Sequence, residues 1–171
     1  MTEEHVSNSI KGLSIGSTAP PIDTKDIYNN EISSNLLFLR FKGLFIDFFR
    51  GAWWKPCKEH LHNLKNNLTE FEKRNIKIIT IATDSINHLK KFCEENNFNF
   101  TMVSDRGAKI SKAYNVYTFG SMLDISFLKT KLAIPSTFLI NTEGKIVWTY
   151  IGARTDRPSI KLLIEAIDKN I

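Results

Sequence analysis

The chain has 171 residues, 42% of them hydrophobic, which is enough for one globular domain with its own core. No apolar run approaches the ~20 residues that a membrane-spanning helix needs. The first residues lack the basic and then apolar layout of a secretion signal, so we expect a cytoplasmic protein with no membrane partner. The formal net charge is +5, but lysines alternate with glutamates instead of clustering on one face. The charge pattern therefore does not indicate a nucleic-acid-binding protein.

The sequence up to about residue 74 predicts a tail, two strands and a helix. Residues 1–16 are polar and predict a loosely held tail ahead of a single domain at 17–171. The apolar runs 36–39 and 44–46 are typical of buried strands. A helix is predicted from Lys58 to about Arg74, because its apolar residues recur on one face. Those residues are Leu61, Leu64, Leu68 and Phe71, and Pro56 suits the first turn.

The remaining chain alternates strand and helix patterns and then closes with a hairpin and a helix. Asp84 or Ser85 is suited to cap the second long helix. The buried face of that helix is predicted to hold Ile86, Leu89, Phe92 and Cys93. The segment 117–131 predicts an insertion or a lid. The other predicted elements are strands at 78–82, 101–103, 137–140 and 145–151, and helices at 108–114 and 159–169. This order indicates a layered α/β fold.

One of the two cysteines, Cys57, lies where a buried strand gives way to a helix, in the run Trp-Trp-Lys-Pro-Cys at 53–57. A sulfur there meets the free amides and the positive end of the helix, which favours thiolate over thiol.

Arg50 either adds positive potential or is an ordinary surface charge. Asp47 is either a buried carboxylate that relays protons or an edge-strand residue that faces water. His60 shares a helix face with Cys57, but two ligands are too few for a metal, and we expect neither metal nor cofactor.

Four segments, taken in order, resemble the thioredoxin-fold redoxins, and most closely the peroxiredoxin-like (AhpC/TSA) family. Within that family the nearest branches are the bacterioferritin-comigratory (Q-type) and peroxiredoxin-like proteins. The matching segments are 15–20, 49–57, 98–105 with 113–116, and 134–141 with 143–146. The resemblance implies an α/β, thioredoxin-like fold with a central mixed β-sheet flanked by helices on both faces.

The motifs of two related classes meet at Cys57. Peroxiredoxins carry Pro-x-x-x-Thr-x-x-Cys, and this chain has Trp54 at the threonine position and Arg50 at the proline position. Thioredoxins carry Trp-Cys-Gly-Pro-Cys, and Trp54 replaces the first of those cysteines, so dithiol exchange within this turn is impossible. The thioredoxin comparison makes Cys57 the buried resolving thiol, whereas the peroxiredoxin comparison makes it the attacking one. With the first cysteine gone, only the attacking role leaves chemistry at this turn.

The resemblance also assigns roles to residues late in the chain. Pro135 stands where peroxiredoxins have a peroxide-binding arginine and where thioredoxins have a cis-proline beside the active cysteine. The bond between Ile134 and Pro135 is therefore a candidate for the cis form. Arg154 or Arg157 is a candidate replacement for the missing arginine, and the alternative is a surface loop without function.

The second cysteine, Cys93, has two interpretations. The resemblance to the Q-type branch implies that Cys93 resolves the sulfenic acid of Cys57 by forming a disulfide, which an external thiol then reduces. The alternative is an ordinary buried thiol on the apolar face of its helix. A disulfide needs Cα atoms within about 7 Å, so local unwinding of the helices is expected if the bond forms.

The resemblance implies a thiol-dependent peroxidase that reduces hydrogen peroxide or organic hydroperoxides. Cys57 would be its nucleophile, and Trp54 and Pro135 would shape the pocket. Thioredoxin or a similar dithiol protein would be the reductant. The protein itself would be a monomer or a dimer. A first alternative is a thiol–disulfide exchange protein, which the thioredoxin-like Asp47 and Pro135 favour. A second alternative is a redox-inactive scaffold that binds a partner through the aromatic surface around Trp53 and Trp54.

Overall fold

The computed structural model describes residues 11–121, 129–152 and 156–171. In these ranges the strands are β1 (Asp23–Lys25), β2 (Glu31–Ser33), β3 (Gly43–Phe48), β4 (Ile76–Ala82), β5 (Thr101–Ser104), β6 (Tyr117–Ser121), β7 (Lys129–Ala133), β8 (Ser136–Asn141) and β9 (Ile146–Ile151). The helices are α1 (Ser34–Leu37), α2 (Lys55–Asn66), α3 (Leu68–Lys73), α4 (Ile86–Asn96), α5 (Lys109–Ala113) and α6 (Ile160–Asn170). No helix in the described ranges is long and apolar enough to cross a membrane.

A five-stranded mixed sheet in the order β5-β4-β3-β8-β9 forms the centre of the molecule. Strands β3, β4 and β5 run parallel, while β8 is antiparallel to β3 and β9 is antiparallel to β8. One face packs against α2, α3, α4 and α6, and the other packs against α1 and α5. This arrangement confirms the predicted thioredoxin-like fold with helices on both faces. Every residue of β3 is buried because the strand is central and covered on both sides.

The predicted strand at 36–39 is wrong. Ser33 caps α1 by accepting a hydrogen bond from the amide of Leu36, so the chain turns into a short helix there. Leu36 and Leu39 are 65% and 82% exposed, and they do not belong to the core. A short apolar run does not by itself distinguish a strand from a helical turn, and the capping serine decides the outcome.

The single helix predicted from Lys58 to Arg74 is two helices, α2 and α3, with a break at Asn67. The backbone of Asn67 leaves the helical region with φ −120° and ψ 17°. Its side chain donates a hydrogen bond to the carbonyl oxygen of Asn63 at 2.8 Å. Asparagine favours such local contacts over a continuous helix. The helical apolar face is nevertheless correct, since Leu61, Leu64 and Phe71 are fully buried.

Two smaller predictions are also corrected. Residues 11–16, expected to belong to a loose tail, are bound to the domain: the amides of Gly12 and Gly16 donate to the carbonyls of Asn115 and Ile146, each at 2.8 Å. Ile86 was expected in the buried face of α4 but is 49% exposed, because it is the first residue of that helix after the Ser85 cap.

The segment 117–131, predicted as an insertion or a lid, contains a separate two-stranded antiparallel sheet. In it β6 pairs with β7, so that Tyr117 lies opposite Ala133 and Ser121 lies opposite Lys129. Residues 122–128 between these strands lie outside the described ranges.

The predicted hairpin is confirmed: β8 and β9 are joined by a turn in which Asn141 Oδ1 accepts from the amides of Glu143 and Lys145, each at 3.0 Å.

Candidate active site

Cys57 lies in the first turn of α2, as the sequence predicts. Trp54 is the N-cap residue, Pro56 occupies the first turn, and the amide of Cys57 donates to the carbonyl of Trp54 at 3.1 Å. Proline is favoured there because its fixed φ suits a helix start and the missing N–H has no partner to lose. The side chain of Cys57 is 0% exposed and its thiol is free.

Two donors converge on the sulfur of Cys57. The main-chain N–H of Arg50 donates to Sγ at 3.2 Å. The Nη2 atom of Arg157 donates to Sγ at 3.2 Å. An amide dipole and a guanidinium both favour negative charge on sulfur, in addition to the positive end of α2. Arg157 is thus the arginine that the structure brings to the sulfur, whereas Arg154 lies outside the described residues.

Gly152 allows the backbone next to Arg157 and the backbone of Pro135 to pack closely against each other. The amide of Gly152 donates to the carbonyl of Pro135 at 2.8 Å. A Cβ atom on Gly152 would lie 2.5 Å from the carbonyl oxygen of Asp156 and 2.9 Å from that of Pro135, so only glycine fits without a shift. Arg157 Nη1 in turn donates to the carbonyl of Asp156 at 2.7 Å, which fixes the guanidinium in place.

The bond between Ile134 and Pro135 is trans, because no cis peptide bond occurs among the described residues, and this corrects the sequence-based candidate for a cis bond. Ile134 is instead fixed by its amide, which donates to the carbonyl of Val116 at 2.7 Å. Pro135 contributes its carbonyl to Gly152, and so helps to shape the loop region around Arg157.

The side chain of Arg50 lies against the two tryptophans that precede α2. Its guanidinium lies 5.6 Å from the ring centre of Trp53 and 5.5 Å from that of Trp54, which are cation–π distances. The two indoles contact each other edge to face at 5.8 Å. Arg50 therefore supplies a main-chain donor to the sulfur, while its side chain holds the tryptophan pair.

Asp47 is buried in the central strand, so its interpretation as an edge-strand residue facing water is wrong. The residue is 2% exposed. Its Oδ1 atom lies 3.0 Å from His60 Nε2 and accepts a hydrogen bond from Thr137 Oγ1 at 3.1 Å. The pairing of β3 with β8 places Thr137 directly opposite Asp47. No local sequence pattern predicts this cluster, and the shared helix face of Cys57 and His60 is the one feature of the sequence that points to part of it.

Cys93 is held in α4 as a buried thiol. It is 1% exposed and donates to the carbonyl of Phe98 at 3.4 Å. Burial raises the pKa of the Cys93 thiol, and this effect exceeds the opposing hydrogen bond with the side chain of Tyr28. Cys57 and Cys93 belong to the same hydrophobic cluster, but each sulfur has its own hydrogen-bonding partners.

Two cavities flank the start of α2. The smaller, of about 270 Å³, lies between α2 and the segment that leads into α6. It is lined by Pro56, Glu59, His60, Asn63, Asp156, Arg157, Pro158 and Ser159. The larger, of about 550 Å³, borders Trp53 and the start of α4. Among residues 11–121, 129–152 and 156–171 no group of three or more histidine, cysteine or carboxylate side chains is placed to hold a metal ion.

Curated relatives of this chain are named thiol-disulfide oxidoreductases. ResA of Bacillus subtilis is 29% identical over 147 residues, which cover 85% of this chain and 72% of the relative. ResA of Geobacillus thermodenitrificans is 28% identical over 156 residues, which cover 91% of this chain and 79% of the relative. These names support an oxidoreductase at the level of the family.

Solved structures with the same fold include peroxiredoxins. Peroxidoxin BcpB of Mycobacterium tuberculosis superposes with a TM-score of 0.75 at 18% identity and covers 91% of this chain and 95% of its own. The bacterioferritin comigratory protein of Xanthomonas campestris superposes with a TM-score of 0.74 at 19% identity and covers 95% of this chain and 99% of its own. At these identities the likeness supports the fold. A model of the AhpC/TSA family matches residues 15–149, a range that includes Cys57 at the strand-to-helix turn, and this chain belongs to the AhpC/TSA family.

Proposed function

We propose that this protein is a thiol-dependent peroxidase in which Cys57 attacks hydrogen peroxide or a small organic hydroperoxide. The observation that carries the proposal is the pair of donors on Cys57 Sγ, the Arg50 amide and the Arg157 guanidinium, each at 3.2 Å. Such donors stabilise a thiolate before the reaction and the negative charge that develops on oxygen during it. The same two groups compensate for the absence of the peroxiredoxin threonine, whose position Trp54 occupies.

The burial of Cys57 favours a small oxidant over a protein disulfide. The side chain is 0% exposed, so the sulfur of a folded partner cannot reach Sγ unless the turn opens. A hydroperoxide group consists of two oxygen atoms and needs only a narrow path. The cavity of about 270 Å³ that Arg157 lines is large enough for a small hydroperoxide.

The reaction consumes one thiolate and one hydroperoxide. Sγ attacks the terminal oxygen, the O–O bond breaks, and an S–O bond forms as sulfur loses two electrons. The other oxygen leaves as an alkoxide, or as hydroxide when the oxidant is hydrogen peroxide, and takes up a proton. Once the turn has opened, thioredoxin or a similar dithiol reduces the sulfenic acid, either directly or after Cys93 has condensed with it to a disulfide with loss of water.

Stopped-flow measurement of tryptophan fluorescence tests the proposal, because Trp53 and Trp54 adjoin the turn that carries Cys57. We expect peroxide to oxidise the wild-type protein far faster than free cysteine, and Cys57→Ser to abolish the signal. Cys93→Ser is the matched control and is expected to keep the first oxidation step. Loss of the Cys57 thiol no faster than that of free cysteine would overturn the proposal.

Thiol–disulfide exchange is the second candidate, and the names of the curated relatives favour it. In this scheme Cys57 attacks a disulfide of another protein and forms a mixed disulfide with it. The Cys93→Ser variant discriminates the two functions, since it removes the second thiol that would release the partner. Accumulation of mixed disulfides in this variant, together with a slow reaction with peroxide, would favour exchange.

A further inference from the structure

His60 lies between a buried carboxylate and a cavity. Its Nε2 atom is 3.0 Å from Asp47 Oδ1, and Thr137 Oγ1 donates to the same oxygen at 3.1 Å. The side chains of His60 and Asp47 are each 3% exposed. Asp47 Oδ2 is also buried and has no hydrogen-bonding partner among the described residues. A carboxylate in this position has a strong requirement for a positively charged neighbour.

The imidazolium form of His60 meets that requirement. An isolated buried carboxylate is costly, and the hydroxyl of Thr137 is neutral and cannot balance its charge. A protonated His60 that donates from Nε2 converts Asp47 and His60 into a neutral pair. In that form the pair holds one proton inside the domain, and His60 lies one helical turn after Cys57 on the same face of α2.

The cavity of about 270 Å³ borders both His60 and the arginine that binds the sulfur of Cys57. His60 forms part of its wall, and so does Arg157, whose Nη2 donates to Cys57 Sγ at 3.2 Å. The carboxylates of Glu59 and Asp156 also border the cavity. A hydroperoxide that takes over the hydrogen bond between Arg157 and Sγ would therefore occupy the same cavity as His60.

We propose that this cavity admits the hydroperoxide and that His60 protonates the leaving oxygen, an inference that rests on the proposed peroxidase function. The thiolate of Cys57 attacks the terminal oxygen, the S–O bond forms and the O–O bond breaks. The departing alkoxide or hydroxide takes the proton from the His60 imidazolium, giving an alcohol or water, the sulfenic acid and neutral imidazole. Asp47 orients His60, and the imidazole regains a proton from water in the cavity.

The test compares two oxidants that differ in their need for a proton. Hydrogen peroxide releases hydroxide, which requires a proton donor, whereas peracetic acid releases acetate, which does not. His60→Gln retains a side-chain donor for Asp47 but has no titratable proton to give. At one fixed neutral pH we expect this variant to lose about 100-fold in rate with hydrogen peroxide. With peracetic acid we expect it to stay within about threefold of the wild type, since general acid catalysis contributes little to that reaction.

His62→Gln is the matched control, because His62 lies on the same helix and pairs with Asn96 Oδ1 at 2.9 Å, away from this cavity. It should leave both rates unchanged. Asn63→Trp, which fills the cavity from α2, should slow both oxidants by similar factors. Equal losses with the two oxidants in His60→Gln would overturn the role of His60 as proton donor, and unchanged rates in Asn63→Trp would overturn the cavity as the entrance.

A measurement on the wild-type protein keeps the proposal testable if His60→Gln does not fold. The rate with hydrogen peroxide should fall in deuterium oxide more than the rate with peracetic acid, because only the first reaction transfers a proton from His60 in its slow step. Equal isotope effects would contradict the proposal. A wild-type rate no faster than that of free cysteine with either oxidant would instead contradict the peroxidase function itself.

Discussion

Arg157 donates a hydrogen bond from Nη2 to the Sγ atom of Cys57 at 3.2 Å, although the two residues are 100 positions apart in the chain. The contact joins the start of α2 to the segment that precedes α6. It places the permanent positive charge of the guanidinium beside Cys57, the cysteine that lies at the N-terminus of a helix.

Arg157→Gln should lower the rate of oxidation by hydrogen peroxide about 100-fold, because it removes a charged donor from the sulfur and the attacked oxygen. Arg157→Lys should restore only part of the rate, since a lysine lacks the planar fork that binds Sγ and the Asp156 carbonyl together. Stopped-flow fluorescence measures both variants. Lys161→Gln, which removes one positive charge from the exposed face of α6, is the control and should react normally.

Gly152→Ala should slow the same reaction about 10- to 100-fold, because the added methyl group displaces the segment that positions Arg157. The new Cβ atom would lie 2.5 Å from the carbonyl oxygen of Asp156, a distance that backbone atoms do not tolerate. Thermal unfolding of the variant shows whether the change is local. A normal rate in a fully folded Gly152→Ala protein would contradict the role assigned to this close approach.

Cys57 should react with iodoacetamide before Cys93 in the native protein. Burial raises the pKa of the Cys93 thiol, so that this thiol stays protonated at neutral pH and becomes reactive only above the ordinary thiol range of about 8.5. Peptide mapping after timed alkylation at increasing pH distinguishes the two sites, and Cys93→Ser identifies the Cys57 signal. Equal labelling of both cysteines at neutral pH would contradict this order.

Trp54→Cys should introduce thiol–disulfide exchange. The substitution places a second thiol at the start of α2, three positions before Cys57, in the arrangement that the thioredoxin motif requires. We expect the variant to reduce insulin with a dithiol reductant present, whereas the wild-type protein should not. Trp54→Ser loses the same indole packing without gaining sulfur, so it isolates the effect of the thiol. Equal insulin reduction by both variants would show that opening the site, and not the new thiol, is responsible.

Asp84→Asn should stabilise the protein at neutral pH. Burial raises the pKa of Asp84, although the Ala52 amide, which donates to Oδ2 at 3.1 Å, opposes the shift. A folded-state pKa above the unfolded value means that ionised Asp84 costs stability at neutral pH. This cost disappears as the pH falls below the unfolded value of about 3.9. Asparagine keeps an acceptor for Ala52 and carries no charge.

Urea unfolding at several pH values tests this prediction. The difference in the free energy of unfolding between Asp84→Asn and the wild type should be largest at neutral pH and should shrink on acidification. A variant that is less stable than the wild type by the same amount at every pH would indicate that the carboxylate of Asp84 is needed for the turn at Ala52.

Local sequence patterns were sufficient for the strands of the central sheet, for the buried faces of the long helices and for the place of Cys57 at a helix start. The apolar spacing at Leu61 and Leu64 predicts the buried face of α2, and the position of Cys57 between a buried run and Pro56 predicts a sulfur at a helix start. These features depend on neighbouring residues alone. Local patterns failed where a single polar side chain decides the backbone, as with Ser33 before α1 and Asn67 after α2.

The sequence by itself determined the layered α/β fold and the position of Cys57, because strand and helix periodicity and helix-start chemistry are properties of short segments. Its resemblance to the thioredoxin-fold redoxins implied the thioredoxin-like topology. Only the tertiary structure decided which groups surround that sulfur. Arg157 reaches that sulfur where Gly152 lets the segments of Pro135 and Asp156 approach each other. The pairing of β8 with β3 brings Thr137 to Asp47, which also meets His60. Those contacts join residues far apart in the chain, and their geometry depends on sheet register and close packing, which no local pattern records.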